Sequence, residues 1–206
     1  MQKKFTIAIL GGTGQEGSAL ALRWAKAGHR VILGSRDAAK AAAAAERMKQ
    51  ALTGADVSGG ANREAAEAAE VVVLTVPYAA QRATVEQVRE ALTGKILVDT
   101  TVPLVPPKVA RVQLPPEGSA VAAIQKLLGE SVRVVSAFQN VSAHHLKDLT
   151  HEVDCDVLIC GNDAGARDVV AGLAADIGLR AVHAGPIVNS AATEALTSLL
   201  ISINLR

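Results

Sequence analysis

The stretch IAILGGTGQEGSALALRWAKAGH, residues 7–29, decides the fold. It opens on a short apolar run, holds Gly12, Gly14 and Gly17 in a G-x-G-x-x-G spacing, and continues with leucine, alanine and tryptophan at helical intervals. That order predicts a strand, a tight turn and a helix. Each glycine has a steric reason: Gly12 permits the turn, Gly14 lets backbone approach a pyrophosphate, and Gly17 allows the helix to pack against the strand. Phosphates would then sit at the helix N-terminus, where free N–H groups and the helix dipole favour negative charge.

Outward from this unit the chain alternates short β-branched runs with longer helical patterns. Strands are expected at Phe5–Leu10, Arg30–Leu33, Val71–Val76, Lys95–Val98, Val132–Ala137, Val153–Ile159 and Arg180–His183. Helices are expected at Gln15–Ala27, Ala38–Leu52, Asn62–Ala69, Gln81–Leu92, Ser119–Leu128, near Ala143–Asp148, at Ala164–Asp176 and from about Ser190 onward. Runs such as VVVLTV and RVVSA are apolar at consecutive positions, as strands covered on both faces are. The fold class is therefore α/β: a Rossmann-type, doubly wound, mostly parallel sheet with a small C-terminal extension. One domain is expected to take up residues 1–206. The segment Thr100–Gly118, with five prolines, reads as a lid or a surface excursion.

The second expected strand ends in VILGSRDAAK, residues 31–40. An acidic residue normally stands at that end when a free ribose 2′-hydroxyl is bound. Here Ser35 and Arg36 occupy it and Lys40 follows one turn later, a hydroxyl and two cations that suit a 2′-phosphate. NADP(H) is therefore the expected cofactor, and Asp37 is expected to cap the next helix.

Composition narrows the partners. The chain carries 21 basic and 20 acidic side chains, so no excess charge points to nucleic acid or an anionic membrane. Phe5, Trp24, Tyr78 and Phe138 are its only aromatic residues besides histidine, too few for base-stacking platforms. No apolar run approaches the roughly 18 to 20 residues that span a bilayer, and the opening MQKKFTIAIL reads as a first strand and not as an export signal. Cys155 and Cys160 fall on opposite faces of a strand, so they read as reduced, buried thiols of a cytoplasmic protein. His144 and His145 are adjacent, a poor geometry for a shared metal, while His29, His151 and His183 are scattered and read as surface or capping residues. No metal site is expected.

The segments GGTGQEGSALALRWAKAGHRVILGSR (11–36), VVVLTVPY (71–78), RVVSAFQNVSA (133–143), DVLICGND (156–163) and HAGPIVNS (183–190) together resemble the F-420-dependent NADP reductase family. The resemblance follows the chain in order. It implies hydride transfer between NADP(H) and coenzyme F-420, an 8-hydroxy-5-deazaflavin acting as co-substrate. By it, Thr13, Gly14, Gln15 and Glu16 line the phosphates, and Ser35, Arg36 and Lys40 hold the 2′-phosphate. Val76, Pro77 and Tyr78 flank the cofactor at the end of the third expected strand, and Gln139, Asn140, Val141, Ser142 and Ala143 border nicotinamide and deazaflavin. Val141 and Ala143 serve as walls, while Gln139 and Ser142 depart from the family pattern. The C-terminal strands and helix complete the deazaflavin site.

Transfer between two organic cofactors needs no protein nucleophile and no metal, because the cofactors carry the reacting atoms. The protein contributes proximity, holding the reacting carbons about 3 to 3.5 Å apart in a dry pocket. No residue is assigned as an acid, base or nucleophile. The alternatives are an NADPH-dependent reductase of another small substrate (flavin, imine or carbonyl) and a non-catalytic NADPH sensor. The final segment AATEALTSLLISINL places more apolar residues at helical spacing than a solvated helix requires, and a homodimer contact is expected there.

Overall fold

Ile7 and Ile9 of strand β1 (Thr6–Leu10) face one side of the sheet and Ala8 and Leu10 the other, and all four are fully buried. The computed structural model, which describes residues 3–205, builds outward from this strand. Helix α1 (Gln15–Lys26) returns the chain to β2 (Arg30–Ser35), and α2 (Ala38–Ala51) leads to β3 (Val57–Ala61). After α3 (Asn62–Ala68) come β4 (Val71–Leu74), α4 (Tyr78–Val88), β5 (Ile96–Asp99), α5 (Ala120–Leu128) and β6 (Arg133–Ser136). The short α6 (Ala143–Lys147), β7 (Asp156–Gly161), α7 (Ala164–Asp176), β8 (Arg180–His183) and α8 (Ser190–Asn204) complete the order.

The eight strands form one sheet in the order β3-β2-β1-β4-β5-β6-β7-β8. Every neighbouring pair is parallel except β6 with β7. The strand order reverses between β1 and β4, and in such sheets a crevice opens there, beyond the carboxyl ends of the strands. Two apolar layers cover the sheet. Ile7, Ile9, Val31, Leu33, Val71 and Val73 pack with residues of α1, α2 and α7. Ala8, Leu10, Ile32, Val72 and Leu74 pack with residues of α3, α4 and α5.

Strand β3 is absent from the sequence expectation, which has no strand between residues 34 and 70. Its sequence, VSGGA, lacks the β-branched run that marks a strand, and its glycines read as loop punctuation. Packing supplies the reason for them: a Cβ on Gly59 would stand 2.3 Å from the backbone carbonyl of Ala41 in α2. Bare strand and alanine-rich helix approach each other closely, which also accounts for the small side chains of KAAAAAER. The strand expected at Val71–Val76 stops at Leu74, and α4 starts at Tyr78, directly after Pro77. Strand β7 begins three residues later than expected and runs two further, to Gly161.

His29, expected as a surface or capping residue, is not at the surface: it is 1% exposed. Its Nδ1 accepts from the Phe5 backbone N–H at 3.1 Å, so Nε2 carries the hydrogen given to Asp176 Oδ2 at 2.8 Å. It ties β1 to the end of α7. Trp24 of α1 is fully buried, donates to the Leu173 carbonyl at 2.9 Å and meets Phe138 edge to face. One residue earlier, Arg23 spreads its guanidinium over the carbonyls of Leu146, His145, Asp148 and His151, at 2.7 to 3.2 Å, and reaches Ile177 at 3.4 Å. The helix that begins at the glycine turn thus holds α6 and the loop after it.

Candidate dinucleotide site at the strand-order reversal

The glycine turn lies between β1 and α1, at the reversal of strand order. Gly11 has φ +82°, a left-handed conformation that favours glycine. A Cβ on Gly12 would stand 2.8 Å from the Ile9 carbonyl, and one on Gly17 would stand 2.5 Å from Thr75 Oγ1 and 2.8 Å from the Gly11 carbonyl. Gly14 occupies the N-cap of α1 and gives no side-chain cap, so the first N–H groups of the helix remain open to an anion.

A cleft of about 250 Å³ opens beside this turn, lined by Gly11, Thr13, Gly14, Ser35, Arg36, Asn62, Thr75, Val76, Pro77, Ala80 and Thr84. Of the residues expected from sequence, it brings together Thr13, Gly14, Ser35, Arg36, Val76 and Pro77. Arg36 is exposed and forms no ion pair among the described residues. Lys40 lies outside the cleft wall, with its ammonium 3.6 Å from Asp37. Asp37 caps α2 by accepting from the Lys40 N–H at 3.1 Å. Tyr78 turns to a separate cavity of about 280 Å³ between α4, α5 and the proline-rich segment, shared with Gln81, Arg82, Pro115 and Glu117.

Asn62 is the residue that sequence reasoning missed. It is 5% exposed, lines the cleft, and leaves its Oδ1 without a hydrogen-bond partner. A buried polar atom left unpaired costs about 1 to 3 kcal/mol, so the Oδ1 is a candidate acceptor for a donor on a bound ligand. The signal was within reach: Asn62 immediately follows VSGGA, and recognition of that run as a strand would have put Asn62 at a ligand-side strand end. Arg36 without a protein counter-ion, the open helix N-terminus and the orphaned Asn62 oxygen fit a dinucleotide with an additional phosphate on its adenosine ribose.

The segment 139–143 sits two strands away, at the end of β6, and does not line that cleft. Phe138 takes φ +71° and turns the chain there. Gln139 is 6% exposed; its Nε2 donates to the Asp99 carbonyl at 2.9 Å and to Ser136 Oγ at 2.8 Å, while its Oε1 has no partner. Asn140 Nδ2 donates to the Asp156 carbonyl at 2.8 Å and fastens the turn to β7. Val141 is buried in the core, and Ala143 begins α6 after Ser142.

Between the cleft and this segment lies a buried polar floor. Asp99, at the end of β5, accepts from Gln81 Nε2 at 2.7 Å and from the Thr101 N–H at 3.0 Å, and burial pushes its carboxyl upward despite these bonds. Glu194 of α8 accepts from Ser119 Oγ and from the N–H groups of Ala120 and Val121, closing the start of α5; burial raises its pKa too. Thr197 donates to the Gln139 carbonyl at 3.0 Å. Glu16, in the first turn of α1, is half-buried, and desolvation, with the charge of Asp99 acting in the same direction, pushes its carboxyl up to about 8.

Known proteins resemble this chain along nearly its whole length. The family model for coenzyme F-420-dependent NADP oxidoreductases matches residues 6–103. The F-420-dependent NADP reductase of Methanocaldococcus jannaschii is 46% identical, over 97% of this chain and 92% of that protein. The enzyme of the same name from Methanothermobacter marburgensis is 45% identical, over 97% and 92%. A crystal structure from Arthrobacter superposes with a TM-score of 0.78 at 31% identity, covering 98% of this chain and 93% of the other. With such identity along nearly its whole length, the chain belongs to the family of F-420-dependent NADP reductases.

Proposed function

We propose that this protein transfers a hydride between NADP(H) and coenzyme F-420. The observation that carries the reading is the near-full-length identity with reductases of that name. When bound, the two cofactors supply the hydride and its acceptor. The chain's part is to bind and orient: the open N-terminus of α1 takes the pyrophosphate and the Ser35–Arg36 pair the 2′-phosphate. The Asn62 oxygen accepts from the nucleotide. Gln139, Val141 and Ala143 stand on the β6 side, where the deazaflavin is placed in this reading, braced from behind by β7, β8 and α8 as parts of one domain. No side chain attacks the substrate and no metal is required. Mixing purified protein with NADPH and oxidised F-420, with FMN and FAD as parallel acceptors, tests it by the loss of NADPH absorbance. Oxidation with F-420 alone is expected; equal rates with the flavins, or no turnover with any acceptor, would sink the assignment.

The reading extends to a cytoplasmic homodimer. Among the described residues no helix is long and apolar enough to cross a membrane, yet α8 exposes Leu199 (51%) and Ile203 (63%) one turn apart. Such neighbouring apolar residues suit a twofold contact between copies. The double variant Leu199→Asp/Ile203→Asp is expected to sediment as a monomer where the unaltered protein sediments as a dimer. A monomeric unaltered protein, or a variant still dimeric, removes α8 from the interface.

A further inference from the structure

In dinucleotide sites of this fold an acidic residue at the end of the second strand accepts from a ribose hydroxyl. Here that end carries Ser35 and Arg36, and the neighbouring carboxylate, Asp37, is spent on capping α2 and on Lys40. A ribose hydroxyl therefore needs an acceptor from another element. Strand β3 runs beside β2 with Ala61 opposite Ser35, and Asn62 follows it directly into the wall of the cleft. A Cβ on Gly34 would stand 2.9 Å from Asn62 Oδ1, so the bare backbone of β2 is what leaves room for that oxygen.

Gly34 fixes where the oxygen stands. Its carbonyl accepts from the N–H groups of Gly11 and Gly12 at 3.1 and 3.2 Å, and Ser35 is the next residue. Asn62 Oδ1 thus lies between the glycine turn, where the pyrophosphate is placed, and the Ser35–Arg36 pair, where the 2′-phosphate is placed. In NADP(H) the group between those two phosphates is the adenosine ribose. Its 5′-oxygen carries the pyrophosphate and its 2′-oxygen the extra phosphate, so the 3′-hydroxyl is the donor left to it. The base has its own place: the cleft shares Arg36, Ala80 and Thr84 with a second hollow of about 500 Å³ that runs on to Ala83, Glu86 and Gln87. Two hydroxyls of the wall are already engaged, Thr75 donating to the Leu10 carbonyl at 3.0 Å and Thr84 to that of Ala80 at 2.8 Å. The Asn62 oxygen is buried and, among the described residues, has no partner.

We infer that Asn62 holds the adenosine 3′-hydroxyl of NADP(H), the hydroxyl donating to Oδ1. The inference rests on the NADP(H) half of the reading above and does not involve the hydride acceptor. It gives the two edges of the ribose separate readers. Arg36 answers to a phosphate that NAD(H) lacks, while Asn62 answers to a hydroxyl that both nucleotides carry.

Titration calorimetry with adenosine 2′,5′-bisphosphate and its 3′-deoxy analogue tests this without nicotinamide or deazaflavin. Loss of the 3′-hydroxyl is expected to weaken binding to the unaltered protein about tenfold, because Oδ1 is again left unpaired. In Asn62→Ala the two ligands should bind within about twofold of each other, since the acceptor is gone. Each comparison is made within one protein, so a general loss of stability or affinity in the variant cancels. Equal affinity of the unaltered protein for the two ligands, or the full difference kept in Asn62→Ala, would overturn the inference. The first of these outcomes needs no variant. Binding that ignores the 3′-hydroxyl removes the inference alone, whereas failure of the unaltered protein to bind adenosine 2′,5′-bisphosphate removes the NADP(H) reading and the inference with it. Asn62→Ala is also expected to weaken NADPH and NADH by the same factor, and a loss confined to NADPH would move Asn62 to the 2′-phosphate and overturn its assignment to the hydroxyl.

Discussion

Arg36→Ala is expected to weaken NADP(H) on the order of 10- to 100-fold, about 1.5 to 3 kcal/mol, the range of a hydrogen bond to a charged group. NAD(H) should change little. The reason lies in what surrounds the guanidinium: it borders the cleft, is exposed, and has no carboxylate partner among the described residues. Its counter-charge is expected from the ligand, and NAD(H) has no 2′-phosphate to supply one. Ser35 contributes a short dipole beside it but no charge, and Lys40 is shared with Asp37, so neither replaces the lost cation. Equilibrium titration by protein-sensitised NADPH fluorescence, with NADH in parallel, measures the effect. Equal losses for both nucleotides would assign Arg36 to folding of the turn and take the 2′-phosphate from it.

Arg23→Ala should lower the stability of the protein by about 3 kcal/mol, because several carbonyls lose a charge-assisted donor together. Four of the five lie between residues 145 and 151, in and just after α6, where the chain has little regular structure of its own. Loss of the clamp should therefore also raise amide exchange across 144–151 well before global unfolding, and loosen the turn at residues 141–143 that leads into α6. Urea unfolding and site-resolved hydrogen exchange report the two parts separately. Arg23→Lys should recover only a minority of the loss, since an ammonium cannot fan out over five acceptors. A change within about 0.5 kcal/mol would place Arg23 among ordinary surface residues.

The G-x-G-x-x-G turn, the choice of Arg36 over an acidic residue, and most strand and helix positions were legible in the linear sequence, because each rests on spacing along a short stretch. Periodicity shows which faces are apolar, and glycine at a turn shows where backbone must bend or come close. Strand β3 was not legible, because VSGGA becomes a strand only through pairing with β2 and contact with the bare backbone of α2. With β3 hidden, Asn62 was hidden as well.

Other features depend on partners more than 100 residues apart, which no local pattern encodes. His29 looks like a loop residue until Asp176 arrives beside it, 147 positions later. Arg23 looks like a solvated helix charge until α6 folds back over it. The segment 139–143 resembled a cofactor wall as a block, but tertiary contacts divided its work: Asn140 fastens β7, Val141 enters the core, and Gln139 keeps one oxygen free. Glu16 shows the division most clearly. Sequence placed it in the phosphate turn, but only the tertiary fold half-buries it within reach of the charge of Asp99, and desolvation with that like charge raises its carboxyl to about 8.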